Sequence, residues 1–198
     1  MILYLITIVI ADLLILFLNL FFNNQNISTP WIIIVSLIIP ILLIAIDGIA
    51  AGLVRYCFPK KMFDYKVKFH IASKKECLFY EKIGIKYWKD HILELGMFTS
   101  FSKKNIASPN SPEYLERFIM ECNYGVWGHL AGIVFSLLLF VFFNQKYHLT
   151  FIFPAYIVNA VLSILPTMIL RYNVPRLERR LDILNKKIAL YEKRKEDN

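Results

Sequence analysis

The chain has 198 residues, 57% of them apolar, and a formal charge of +8. Its mean hydropathy of +0.50 argues against a soluble domain, because long uninterrupted apolar runs suit lipid, where a helix satisfies its own backbone. Too little polar chain remains for a second domain of ordinary size. The basic charge lies beside apolar runs and so favours anionic lipid headgroups or a phosphate-bearing group over nucleic acid.

The pattern predicts an all-α integral membrane protein, one membrane domain over residues 1–198. It would have about four transmembrane helices, cytoplasmic interfacial helices and a basic C-terminal helix. A span needs about 20 apolar residues, and four runs qualify: 2–22, 31–54, 126–143 and 150–170. Pro40 falls inside the second, and Pro154 and Pro166 predict kinks in the fourth. The first run has no basic region before it and is long enough to span, so it reads as an anchor rather than a cleaved signal.

Lysine and arginine are unevenly placed between these runs. Residues 23–30 hold none, 55–125 hold 13, 144–149 hold only Lys146, and 171–198 hold nine. Thus 22 of the 23 basic residues fall in two segments that an even number of crossings puts on one side. The positive-inside rule makes that side the cytoplasm. The expected location is therefore the cell membrane, multi-pass, with both termini cytoplasmic, an insertion at 55–125 and a tail at 171–198.

Within the insertion, Phe79, Tyr80, Ile83, Tyr87, Trp88, Ile92, Leu95 and Met97 alternate with charged residues, which predicts a helix lying in the interface. Ser108–Pro112 reads as a turn. The next helix would start with Ser111 as N-cap, Pro112 at its first position and Glu113–Glu116 in its first turn, and would run on toward the third span. In the tail, residues 175–195 predict a basic helix with Leu177, Leu181, Leu184, Ile188 and Tyr191 on one face.

Candidate chemistry is sparse. Asp12 and Asp47 are carboxyls inside predicted spans, and an ionisable group there is either functional or paired within the bundle. His129 lies one turn into the third span, His91 shares a helix face with Glu94, and His148 falls in a solvated outer loop. Cys57, Cys77 and Cys122 are odd in number, without CxxC spacing, and read as free thiols. There is no HExxH or Cys/His cluster, hence no metal site is expected, and no GxSxG elbow, P-loop or HxxxxD arrangement.

Three segments carry a resemblance. The first is Phe79-Tyr80-Glu81-Lys82 leading to Tyr87-Trp88-Lys89-Asp90-His91 and Glu94-Leu95-Gly96. The second is Glu116-Arg117-Phe118-Ile119-Met120-Glu121, with His129 eight residues on. The third is Arg171-Tyr172-Asn173-Val174-Pro175-Arg176-Leu177, running into Leu181-Asp182-Ile183-Leu184. In this order they resemble the glycosyl-4,4'-diaponeurosporenoate acyltransferase family over roughly residues 47–187. That family's named member attaches a fatty acyl chain to the glucose of a glycosylated carotenoid. The resemblance implies acyl transfer to a hydroxyl of a glycosylated or isoprenoid lipid at the cytoplasmic leaflet. It implies no bound cofactor, acyl-CoA or an acyl carrier protein as donor, and membrane lipids and a lipid-linked acceptor as partners.

Such a reaction needs a base for the hydroxyl proton and a positive or hydrogen-bonding site for the developing oxyanion. On the resemblance, His129 is the candidate base, with Glu121 or Asp90 orienting it or holding the sugar. Lys89, Arg171 and Arg176 would take donor phosphates, and Asn173 a carbonyl or sugar hydroxyl. Trp88, Glu94 and Tyr172 complete the binding set. Eight residues on one helix separate Glu121 from His129 by about 12 Å. Either the helix breaks near Gly125–Gly128 or the two serve different sites. The stretch Cys122–Gly128 lacks the charges that family members carry there. That departure motivates a second reading, a non-enzymatic module that binds a lipid or partner protein. A small transporter using Asp12 and Asp47 is a third, unsupported by any inverted repeat. The bland reading of Asn173-Val174-Pro175 is a turn out of the membrane.

Overall fold

The computed structural model describes residues 2–22, 26–67, 71–92 and 107–196. These are mostly helical, with no strand among them. Helix α1 covers Ile2–Phe21 and α2 Thr29–Cys57. A 3-10 turn at Lys60–Phe63 precedes α3 (Lys74–Lys82) and α4 (Ile85–Trp88). Helix α5 runs Pro112–Ser136, α6 Leu139–Phe142, and a π-helical turn at His148–Ile152 leads into α7, Phe153–Glu196. Three stretches are long and apolar enough to cross a membrane, namely Thr29–Cys57, Pro112–Phe142 and Gln145–Lys195, and α1 is a shorter apolar helix.

The chain forms two compact units. The first comprises Met1–Cys57, His91–Leu93 and Trp127–Thr167. Its core is a stripe at helical spacing on α2 (Ile32, Val35, Ile39, Leu43) with Phe151 and Ile152. Beside those positions Ile34, Leu37, Ile38, Ile41 and Ile44 stay exposed, as expected of a helix surrounded by lipid. Asn19, buried on α1, donates its amide to the Ile15 and Thr150 carbonyls at 2.8 Å. Gly128 and Gly132, four apart on α5, face α2. A Cβ on Gly128 would stand 3.4 Å from Ala51, and one on Gly132 would overlap Asp47 Oδ1. Small residues at this spacing let helices approach closely where lipid supplies no hydrophobic drive.

The second unit comprises Phe58–Asp90, Glu94–Val126 and Met168–Asn198. Leu115, Phe118, Ile119 and Cys122 on α5 pack with Val174, Leu177 and Leu181 on α7. Ser111 caps α5 as expected, its Oγ accepting from the Tyr114 N–H at 3.2 Å, with Pro112 the first helical residue and Glu113 in the first turn.

Four expectations change. The interfacial helix is not continuous: α3 ends at Lys82, and Gly84 has φ +74°, a left-handed turn that glycine adopts without steric cost. Leu95 and Met97 lie outside the described residues. Helix α5 does not break near Gly125–Gly128. Helix α7 continues through Asn173-Val174-Pro175, so these residues do not turn the chain, and the basic tail is the same helix as the fourth apolar run. Burial of Val174, Leu177 and Leu181 outweighs the local preference against helix before a proline. Finally, His148 is not simply solvated. Its Nε2 lies 2.8 Å from the Phe143 carbonyl oxygen, and its ring stands edge-on to Phe140.

Candidate functional site

In the second unit, α3 and the middle of α7 face each other through charged and phenolic groups. Glu76 and Tyr80 are four apart on α3, and Arg171 on α7 reaches both ends of the Glu76 carboxylate. Its Nε donates to Oε1 at 2.5 Å and its Nη2 to Oε2 at 2.8 Å. The Tyr80 hydroxyl donates to the same Oε1 at 2.5 Å. Both charged side chains are about four-fifths buried, at 21% and 24% exposure. A planar guanidinium matches a carboxylate in this two-point geometry. Hydrogen bonding from Arg171 holds the Glu76 carboxyl below the usual carboxylate range. Burial, and then the hydrogen bond to Glu76, push the Tyr80 phenol up to about 12.

One turn along, the Tyr172 hydroxyl donates to Glu81 Oε1 at 2.8 Å and accepts from Arg176 Nη2 at 2.5 Å. The Arg176 guanidinium also lies over the Tyr172 ring, 4.3 Å from its centroid, a cation–π arrangement. Lys86 reaches Glu81 at 2.9 Å. That contact lowers the Glu81 carboxyl and raises the Lys86 ammonium. Arg176 and Lys86 are more than half exposed, so this end of the cluster presents two positioned cations to solvent. The Tyr172 ring is buried at 2% exposure and makes an edge contact with Tyr80.

These contacts join the first and third of the segments singled out in the sequence. The second joins them through the core, since Leu115, Phe118 and Ile119 pack on the α7 residues that follow Arg171 and Tyr172. A family model described as glycosyl-4,4'-diaponeurosporenoate acyltransferase matches residues 59–183, more than half of the 198-residue chain. The chain belongs to that family. Neither the curated proteins nor the solved structures give a significant match.

For this acyltransferase family member, the structure separates the expected site residues into groups. Arg171, Tyr172 and Arg176 come together with Glu76, Tyr80, Glu81 and Lys86. Arg171 is a clamp on Glu76 rather than an open phosphate ligand. Trp88 is partly buried on α4 and donates its indole N–H to the Ile83 carbonyl at 3.1 Å, closing the turn at Gly84. Lys89 and Asp90 follow in a 3-10 turn, Asp90 exposed. Asn173 is partly buried on α7, and Glu94 lies outside the described residues.

Glu121 and His129 are both partly buried on the uninterrupted α5. Their separation along it is about 12 Å, so they do not hydrogen-bond. Among the described residues His129 has no hydrogen-bond partner. The stretch after Glu121 is structural. Cys122 is core, Asn123 donates to the Phe63 carbonyl at 2.9 Å, and the Tyr124 ring stacks on Phe63 at 4.2 Å. These positions are buried and need no charge.

Sequence reasoning missed Glu76 and Lys86. Glu76 lies three residues before the first quoted segment, four before Tyr80, and that i,i+4 spacing was the available signal. In the first unit, Asp12, Asp47 and Asn159 line a pocket otherwise walled by apolar residues such as Ile8, Leu43 and Val158. Asn159 donates to Asp47 Oδ1 at 3.3 Å, which favours the bundle-paired reading of Asp47. Among the described residues no cluster of His, Cys, Asp or Glu is arranged to hold a metal.

Proposed function

We propose that this chain is a membrane acyltransferase that moves a fatty acyl chain from a thioester donor to a hydroxyl of a glycosylated or isoprenoid lipid at the cytoplasmic leaflet of the cell membrane. Both termini would be cytoplasmic. The observation that carries this reading is that the first and third family segments meet in one polar cluster within the matched residues, with the second packed on the same stretch of α7. The hydroxyl oxygen attacks the thioester carbonyl, an ester forms, and the donor leaves as a thiol that takes up the proton.

In this reading Arg176 and Lys86 hold phosphate groups of acyl-CoA or of a carrier protein's phosphopantetheine arm. Glu81 and Tyr172 orient both cations, which lowers the entropy lost on binding. His129 serves as base on chemical grounds, since an imidazole nitrogen can accept the hydroxyl proton and its ring nitrogens are not occupied by a described residue. Glu121 would hold the sugar elsewhere in the site, because it cannot pair with His129. A non-enzymatic lipid-binding module is the second reading, favoured by the saturation of Arg171 by Glu76.

The test is a mass-spectrometric comparison of lipids from cells with the intact chain, without it, and with His129→Ala or Arg176→Ala. A lipid that gains one acyl chain only with the intact protein is expected, with the Arg176 variant reduced and the His129 variant at background. Identical lipids in all four strains would remove the acyltransferase reading.

A further inference from the structure

Helix α7 is 44 residues long, about 66 Å at 1.5 Å per residue. The hydrocarbon core of a bilayer is about 30 Å thick. A helix that crosses it therefore still has about 36 Å beyond it. The charge on that remainder is not spread evenly. Arg176, Arg179, Arg180, Lys186, Lys187 and Arg194 recur at spacings of three, four and seven residues, which puts them on one side of the helix. All are exposed. Ile183 and Leu190 fall within the same stripe, at 49% and 61% exposure. The opposite side carries Val174, Leu177 and Leu181, buried in the core of the second unit. The carboxylates of this stretch (Glu178, Asp182, Glu192 and Glu196) lie off the stripe by the same helical count.

The stripe extends from Arg176 to Arg194, about 27 Å, and begins at the cation cluster already described. At its near end, Arg180 is tied down, its Nε donating to the Pro109 carbonyl at 2.8 Å. This is a rigid basic track with two apolar contacts in it, leading to two positioned cations. We propose that it docks an acidic acyl carrier protein, whose negative helix face would lie along α7 and deliver the phosphopantetheine phosphate to Arg176 and Lys86. The proposal rests on the acyl-transfer reading and narrows its donor from any thioester to a protein-borne one. An anionic bilayer surface would attract the same charge. However, a helix continuous with an apolar span extends away from the surface it leaves and cannot lie flat on it without a break.

The experiment uses the full chain in phosphatidylcholine nanodiscs and an acyl carrier protein charged with a palmitoyl chain. Binding is read by fluorescence anisotropy for wild type and for Arg179→Glu/Lys186→Glu/Lys187→Glu. Charge reversal should weaken binding about tenfold or more, and added salt should weaken wild type in the same direction. Tryptic cleavage after Lys186 and Lys187 should slow when the carrier protein is added. Absence of wild-type binding at low salt, or equal affinity in the variant, would overturn the proposal. Protection of those sites by phosphatidylglycerol nanodiscs without carrier protein would assign the stripe to lipid and also overturn it. Binding is independent of turnover. Carrier binding without any acylated product would keep the docking track and remove the acyltransferase reading. Product from acyl-CoA with no carrier binding would do the reverse.

Discussion

The two units are held together by different kinds of interaction. In the first, apolar side chains face outward and the helices approach through small residues, with Gly128 against Ala51 and Gly132 against Asp47. Its described polar contacts include two isolated links, Asn19 to Thr150 and Asn159 to Asp47. The second has an apolar core that water would drive together, each buried Leu, Ile or Phe contributing about 1.5–3 kcal/mol. Over that core lies a connected network of carboxylates, phenols and guanidinium groups. The difference teaches where chemistry can reside. A helix bundle in lipid tolerates few charges, whereas the second unit positions several, and the family match falls largely on the latter.

The largest effect that would sharpen this contrast is expected at Glu76. Glu76→Ala leaves the Arg171 charge four-fifths buried without its partner. Stranding a buried charge costs about 3–5 kcal/mol, and the residual exposure places this case near about 3. Thermal unfolding in detergent should show the loss, and Glu76→Met/Arg171→Met should recover most of it. Equal losses in the single and double variants would mean that the ion pair itself stabilises the unit and that a stranded Arg171 charge is not the source of the loss. The same cluster sets a pH dependence. The Glu76 carboxyl is depressed chiefly by Arg171, so its contribution is present above its unfolded value, about 4.3. It is lost as pH falls through the lower folded value. Tyr80, raised to about 12, contributes fully below about 10 and loses that contribution between about 10 and 12. Glu76→Gln should flatten the acid limb.

A packing change in the first unit comes next. Gly132→Ala drives a Cβ into the Asp47 carboxylate, 3.1 Å from its Cγ, so the Asp47 side chain must move at the expense of its hydrogen bond from Asn159. Overpacking of this kind costs about 1–3 kcal/mol. Gly48→Ala on α2, where a Cβ meets nothing within 4 Å, is the control. Comparable melting temperatures for the two variants would refute close approach at Gly132. Smaller still is Gly84→Ala, which forces a non-glycine residue to φ +74° at about 1–2 kcal/mol. Its readout is faster proteolysis between α3 and α4, and an unchanged rate would show that the turn relaxes.

Much of this was legible in the sequence, for reasons that mark its reach. Apolar runs announce helices that fit a membrane, because backbone satisfaction leaves lipid few alternatives. Ser111-Pro112-Glu113 announced the start of α5 because capping is local chemistry. Arg171, Tyr172 and Arg176 were found through the resemblance, and the structure groups them. Their carboxylate partners were harder to see. Glu76 meets Arg171 across 95 residues, a separation that no periodicity encodes. Local rules also erred where tertiary packing prevailed, as at Asn173-Val174-Pro175, which reads as a turn but is helix because Val174, Leu177 and Leu181 are buried on both sides of the proline.

The smallest effect separates the two units most cleanly. Asn159→Leu removes the hydrogen bond to Asp47 Oδ1 at 3.3 Å and enlarges the apolar wall of a pocket that Asp12 also lines. Side-chain hydrogen bonds between helices in a membrane average about 0.6 kcal/mol, because the separated helices find other partners. The unfolding midpoint in bicelles should therefore fall only slightly, far less than for Glu76→Ala. A loss as large as that of the Glu76 variant would show that the first unit also depends on a polar anchor. The Asn159–Asp47 contact would then stand as a structural anchor, and the contrast between a bundle held by close packing and a unit held by a charge network would fail.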